Sequence, residues 1–193
     1  RNHPDIPFER YADDEICHCR SEEQAKVLRA SLERRFADCG LTLHPEKTKI
    51  VYCKDEDRRG DYPDCKFDFL GYTFRPRLSR RQRGRIGVSF SPAASDKALK
   101  AIRQTVRSWS LHERSDKSLD DLARMFNCYI RGWINYYGRY YKSALNPTLR
   151  HIDRLLARWA HRKFKSLRRH RRRSRHWLER VARRQPRLFA HWS

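Results

Sequence analysis

The sequence has no Cys-x-x-Cys pair, no apolar run long enough to span a membrane and, beyond residue 74, very little acid. Each absence excludes something. Cysteines at 17, 19, 39, 53, 65 and 128 lack the paired spacing of structural zinc modules. Cys17-His18-Cys19 does not supply it, because alternate residues of a strand point one way and His18 the other. Reduced, partly buried thiols of a reducing compartment are the expected state. The missing apolar run excludes a transmembrane helix, and no secretory signal is visible. The shortage of acid is confined to one region: residues 75–193 hold 32 Lys+Arg against 7 Asp+Glu, whereas residues 1–74 hold 13 against 16.

What is present follows from that asymmetry. The 193 residues suffice for one ordinary domain or two small ones, and the formal net charge is +22. Such a field attracts polyanions, so nucleic acid is the leading partner class. A near-neutral region carrying carboxylates precedes a strongly basic one. The first residue is Arg1, not Met, so the chain is expected to be part of a longer protein.

Residues 7–20 are predicted to form a β-hairpin with Asp13 and Asp14 at its tip. Adjacent aspartates suit a solvated turn, because Asp bonds its own backbone and tolerates turn geometry. They equally suit a metal site, since Mg²⁺ takes hard oxygen ligands and phosphoryl transfer uses two such ions. Ser21 and Gln24 form a capping box for a helix bearing Ala25, Leu28, Leu32 and Phe36 on one face, with Gly40 as its C-terminal glycine. Thr48–Cys53 reads as a strand, 54–65 as a loop, and Phe67–Phe74 as a strand. Six arginines between Arg75 and Arg85 read as a solvated loop. Ile86, Val88 and Phe90 alternate and could pair back with 69–74, and Pro92 closes the region. Helices are expected from Ser95, from Ser118, from Asn146-Pro147 and over about 176–184.

Three blocks occur in order: Arg10-Tyr11-Ala12-Asp13-Asp14, then Gly40-Leu41-Thr42-Leu43-His44-Pro45-Glu46-Lys47-Thr48-Lys49-Ile50, then Phe67-Asp68-Phe69-Leu70-Gly71-Tyr72-Thr73-Phe74. Together they resemble the second half of a reverse-transcriptase palm, most closely that of bacterial group II intron reverse transcriptase/maturases. Arg131-Gly132-Trp133-Ile134-Asn135-Tyr136-Tyr137, the helix before it and the Leu-Asn-Pro-led helix after it resemble the maturase domain, or domain X, of the same proteins. That resemblance implies an α+β chain: a partial palm over 1–92, with antiparallel strands and a helix, then an all-α thumb/maturase domain with a basic tail over 93–193.

The resemblance also implies roles. Asp13 is the main metal-binding aspartate and Asp14 its less direct neighbour, in an enzyme that uses two Mg²⁺ ions. Tyr11 and Ala12 lie beside the primer end. Lys47 lies near the phosphates of the incoming dNTP, where it could act as general acid, or it is an ordinary surface lysine. Leu70, Gly71 and Tyr72 correspond to the primer-grip hairpin. The implied partners are intron RNA and an RNA template with a DNA primer. An N-terminal fingers and palm half, in the same chain or another, is implied as well. A bacterial cytoplasmic setting with no membrane follows from the family.

The residues themselves argue for nucleic acid in the basic half. Arg150, Arg154, Arg158 and Arg162 recur every fourth residue and stack on one helix face, where like charges repel. Phosphates would supply the missing counter-charge. Arg168 and Arg169 continue the run, and Arg131 and Arg139 stand among aromatics suited to stacking on unpaired bases. Trp133 is expected in the core, with one or two tyrosines exposed.

Three features depart from the family pattern. No earlier strand supplies a further metal aspartate, since Asp5 is too close to the hairpin. Glu15 stands where a bulky apolar residue is usual. No His- and Cys-rich endonuclease module follows Trp192. The readings are therefore a reverse transcriptase/maturase portion, inactive by itself, or a non-catalytic RNA-binding maturase fragment or relic. A third reading, a basic nucleic-acid-binding protein unrelated to polymerases, is disfavoured by the ordered palm blocks.

Overall fold

The computed structural model describes residues 5–58, 60–80, 86–168 and 170–192. The chain is α+β, as expected, with antiparallel sheets and helices. It divides into two units, Arg1–Phe69 with Arg75–Phe90, and Leu70–Phe74 with Ser91–Ser193.

In the first unit, β1 (Phe8–Tyr11) and β2 (Asp14–Cys17) form an antiparallel hairpin closed by a two-residue turn. Helix α1 (Glu22–Asp38) begins at Ser21, whose hydroxyl accepts from the Gln24 amide at 3.2 Å. The Gln24 side chain reaches back to the Arg20 amide at 2.7 Å, one residue before the usual partner in a capping box. Gly40, at φ 69°, ends the helix. Its amide bonds the Ala37 carbonyl and that of Leu41 bonds the Phe36 carbonyl, a Schellman pair. Of the expected apolar face, Leu28 is buried, while Ala25, Leu32 and Phe36 are half-buried.

The expected strand over Thr48–Cys53 is not formed; this segment is irregular and its Tyr52 amide bonds the Asp64 carbonyl. The Tyr52 ring packs at a tilt against Tyr62, with centroids 4.4 Å apart, and the Tyr52 hydroxyl accepts from the Gly60 amide at 3.2 Å. The expected strand over 67–74 is two strands, β3 (Phe67–Phe69) and β4 (Tyr72–Arg80), in a sheet with β5 (Ile86–Ala94) in the order β3-β4-β5. Leu70 and Gly71 both have positive φ, 50° and 78°, which is the backbone of a two-residue type I′ hairpin turn. The arginine stretch read as a loop from Arg75 is strand as far as Arg80, and Arg81, Arg83 and Arg85 lie outside the described residues. Pro92 lies within β5 and does not close it.

The second unit is helical. Helix α2 (Asp96–Ser108) is capped by Ser95, whose hydroxyl accepts from the Ala98 amide at 3.1 Å. Helix α3 (Leu119–Tyr141) has a complete capping box between Ser118 and Asp121. The hydrogen bonds from Ser118 and Arg124 hold the Asp121 carboxyl down at about 2. A one-turn 3-10 segment, Lys142–Leu145, leads directly into α4 (Asn146–Lys163). Asn146 is therefore already helical, and the N-cap is Leu145, which makes no side-chain cap bond, rather than Asn146. Helix α5 spans Arg171–Arg184, so it begins about a turn and a half before the expected start near 176.

These helices share one core. Val106 of α2, Leu122 and Ile130 of α3, and Ile152, Leu156 and Trp159 of α4 are essentially inaccessible. Burial of each such side chain contributes about 1.5–3 kcal/mol. The Trp159 indole nitrogen donates to the Arg114 carbonyl at 2.9 Å, so its one polar atom is satisfied. The C-terminal segment closes the core: Phe189 is buried, and Asn127 bonds both the Leu188 carbonyl (2.8 Å) and the Ala190 amide (2.9 Å).

Candidate metal hairpin and nucleic-acid interface

The hairpin pairs Phe8 with Cys17, Glu9 with Ile16, Arg10 with Glu15 and Tyr11 with Asp14, leaving Ala12 and Asp13 as the turn. Ala12 has φ 54°, a left-handed conformation that costs a non-glycine residue about 1 kcal/mol. Arg10 Nε donates to the Ala12 carbonyl at 3.0 Å and lies 3.7 Å from Glu15 Oε1. Asp13 and Asp14 are both exposed, so their oxygens are open to solvent ions. Among the described residues no cluster of three His, Cys, Asp or Glu side chains is placed to hold a metal. Burial raises the thiols of Cys17 and Cys19 above their ordinary value, with Glu15 and Cys19 adding to the shift at Cys17.

Lys47 sits exposed in the turn after Pro45, its amide bonded to the His44 carbonyl at 3.2 Å. Among the described residues no ion pair joins it to Asp13 or Asp14. Leu70, Gly71 and Tyr72 belong to the helical unit. The Tyr136 hydroxyl donates to the Leu70 carbonyl at 2.9 Å, and the Tyr72 hydroxyl donates to the Tyr136 carbonyl. Tyr72 is ringed by Tyr136, Tyr137 and Tyr140, at centroid distances of 5.3, 5.6 and 5.5 Å. Burial, reinforced by these neighbouring hydroxyls, raises the Tyr72 phenol.

On α4, Arg150, Arg154, Arg158 and Arg162 are all exposed. The helix contains one acid, Asp153, and its carboxylate is turned to the C-terminal segment. Asp153 Oδ1 lies 2.9 Å from His191 Nε2 and accepts from the Trp192 indole at 2.9 Å. Among the described residues, no ion pair joins the four arginines to a carboxylate; Arg162 donates to the His112 carbonyl at 3.3 Å. Arg131 and Arg139 on α3 are exposed, as is Arg168, while Arg169 lies outside the described residues. An open groove of about 570 Å³ runs past Arg162, Arg168, His112 and His161. Trp133 is half-buried and stacked on Trp109 at 5.7 Å, whereas Tyr129, Tyr136 and Tyr140 are exposed.

Residues 99–177 match the group II intron maturase-specific domain, and residues 1–74 match the reverse transcriptases, RNA-dependent DNA polymerases. The chain belongs to the group II intron reverse transcriptase/maturases. No individually curated protein matches it. The two matched domains imply nucleic-acid partners such as intron RNA, and reverse transcriptases generally use Mg²⁺. Among the described residues, no helix is long and apolar enough to cross a membrane.

For a reverse transcriptase/maturase the hairpin donor set fits Mg²⁺. That ion is commonly held by one or two carboxylates, the remaining positions going to water and substrate phosphate. Two adjacent exposed aspartates meet that description. The helical unit also contains basic residues that the sequence reading missed. His151 of α4 is held below its ordinary value by burial first, then by Arg154, Arg107, Arg103 and Arg158. Arg103 and Arg107 of α2 thus widen the basic face of α4, and Arg103 also reaches Thr148 Oγ1 at 3.4 Å. Their four-residue spacing on a helix already expected from Ser95 was the available signal.

Proposed function

We propose that this chain supplies the aspartate hairpin of a reverse-transcriptase palm, within residues 1–92, and an RNA-gripping thumb/maturase domain over 93–193. The observation that carries the reading is the uncompensated arginine face of α4, whose one acid is bonded to His191 and Trp192. Such a face is stable in solution but incomplete in charge, and a phosphodiester backbone completes it. Arg131, Arg139 and Arg168 extend the contact to intron RNA or to the template with its DNA primer.

In the complete enzyme Asp13, with Asp14 beside it, holds Mg²⁺, which stabilises the charge that develops on the transferring phosphoryl group. Tyr11 and Ala12 form the wall beside the primer end, Lys47 faces the phosphates of the dNTP, and Leu70, Gly71 and Tyr72 steady the primer. The tyrosine packing around Tyr72 supports that last role by fixing the turn from behind.

One substitution separates the two halves of the proposal. In the complete enzyme Asp13→Asn should abolish RNA-templated DNA synthesis and leave RNA affinity unchanged. Undiminished synthesis would overturn the palm assignment. Loss of RNA affinity would overturn the division of labour between hairpin and helices.

A further inference from the structure

Glu15 is the residue of the hairpin that the palm resemblance does not explain, and its surroundings suggest a use. It stands directly opposite Arg10 in the strand register. Arg10 Nε donates to the Ala12 carbonyl at 3.0 Å, and that carbonyl belongs to the peptide leading into Asp13. A guanidinium therefore sits one peptide away from Asp13, the main carboxylate offered to the metal. It is useful there because its hydrogen bond holds a turn in which Ala12 adopts a left-handed φ of 54°. It is also a hazard, because a free guanidinium makes bidentate bonds to carboxylates and would compete with a cation for them.

Glu15 Oε1 lies 3.7 Å from Arg10 Nε and gives that charge another partner. Strand alternation puts Arg10 and Glu15 on one face, and Tyr11 and Asp14 on the other. Glu15 therefore does not join Asp14 as a metal donor, in keeping with the absence of a three-donor cluster among the described residues.

We propose that Glu15 is the counter-ion that keeps Arg10 on the turn and off Asp13, so that Arg10 positions the hairpin tip without competing with the metal. The inference rests on the proposed metal role of the two aspartates. Arg10 is thereby a positioning residue and Glu15 its restraint; neither touches the reacting atoms.

The test is titration of the 193-residue chain with Tb³⁺ in about 0.15 M KCl, where long-range charge effects are screened. Luminescence sensitised by Tyr11, which faces Asp14 in the register, reports binding at the tip. The D13N/D14N variant defines the tip-dependent signal. E15Q should weaken tip binding about threefold, the scale of an exposed ion pair. R10Q/E15Q should restore it, because glutamine keeps an amide donor for the Ala12 carbonyl but carries no charge. Unchanged affinity in E15Q would overturn the proposal. Equal weakness in E15Q and R10Q/E15Q would overturn it too, and would make Glu15 a ligand. Identical titrations of the wild type and D13N/D14N would overturn the metal reading, and the counter-ion role with it.

Discussion

Asn127→Ala is the most informative perturbation of the helical unit. Asn127 lies on α3 with its side chain almost fully buried, and its amide makes two bonds to the C-terminal segment. One is donated to the Leu188 carbonyl at 2.8 Å, and one is accepted from the Ala190 amide at 2.9 Å. Between them sits Phe189, buried in the core. Each hydrogen bond contributes about 1 kcal/mol net, and removing one partner strands the other in a partly dry site. The expected loss is therefore about 2–3 kcal/mol, or roughly 10 °C or more in Tm for a unit of this size. Thermal melts followed by far-UV circular dichroism would measure it. Asn127→Asp is the sharper control. A carboxylate can accept from Ala190 but cannot donate to Leu188, so this isosteric change should be at least as damaging. A loss below about 0.5 kcal/mol for Asn127→Ala, the level of an inert surface change, would refute the docking argument.

Two further outcomes follow from single sites. Gly71→Ala places a Cβ at φ 78° and 3.0 Å from the Tyr137 hydroxyl, so urea unfolding should show a loss of about 1–2 kcal/mol; an unchanged midpoint would contradict the turn assignment. His151 has a folded pKa below its ordinary 6.5, so its contribution to stability is complete above that value and is lost as pH falls through the folded one. Urea midpoints at pH 7.5 and 5.5 should therefore differ less in His151→Gln than in the wild type, and equal differences would contradict the depressed value.

The helical half was legible from sequence because its signals are local. Ser95 and Ser118 announce α2 and α3 by caps that the structure contains, and of the apolar residues at helical spacing Ile102, Val106, Leu122, Phe126 and Ile130 are buried, whereas Tyr129 is exposed. The hairpin was legible for the same reason, as apolar, turn and apolar residues in close succession. What failed depended on context. Leu70 at φ 50° splits a stretch that reads as one strand, because leucine carries no turn signal of its own. The arginines after Arg75 are strand to Arg80, where partner β5 outweighs a loop-like composition. The run from Arg171 is helical because α5 packs Ser174 and Leu178 inward against its neighbours. The roles of Asp153 and Arg10 were not readable at all. Each is decided by a partner, at residues 191–192 for one and across the hairpin for the other.

The central claim is that the α4 arginines grip RNA through phosphates, and salt dependence tests it most directly. Fluorescence anisotropy with a labelled single-stranded RNA between about 50 and 200 mM KCl gives the slope of log affinity against log salt, to which each phosphate contact contributes about 0.7. The account predicts affinity falling at least tenfold over that range, and a slope shallower by about 2 in R150Q/R154Q/R158Q. A flat dependence in the wild type, or an undiminished slope in the triple variant, would contradict it.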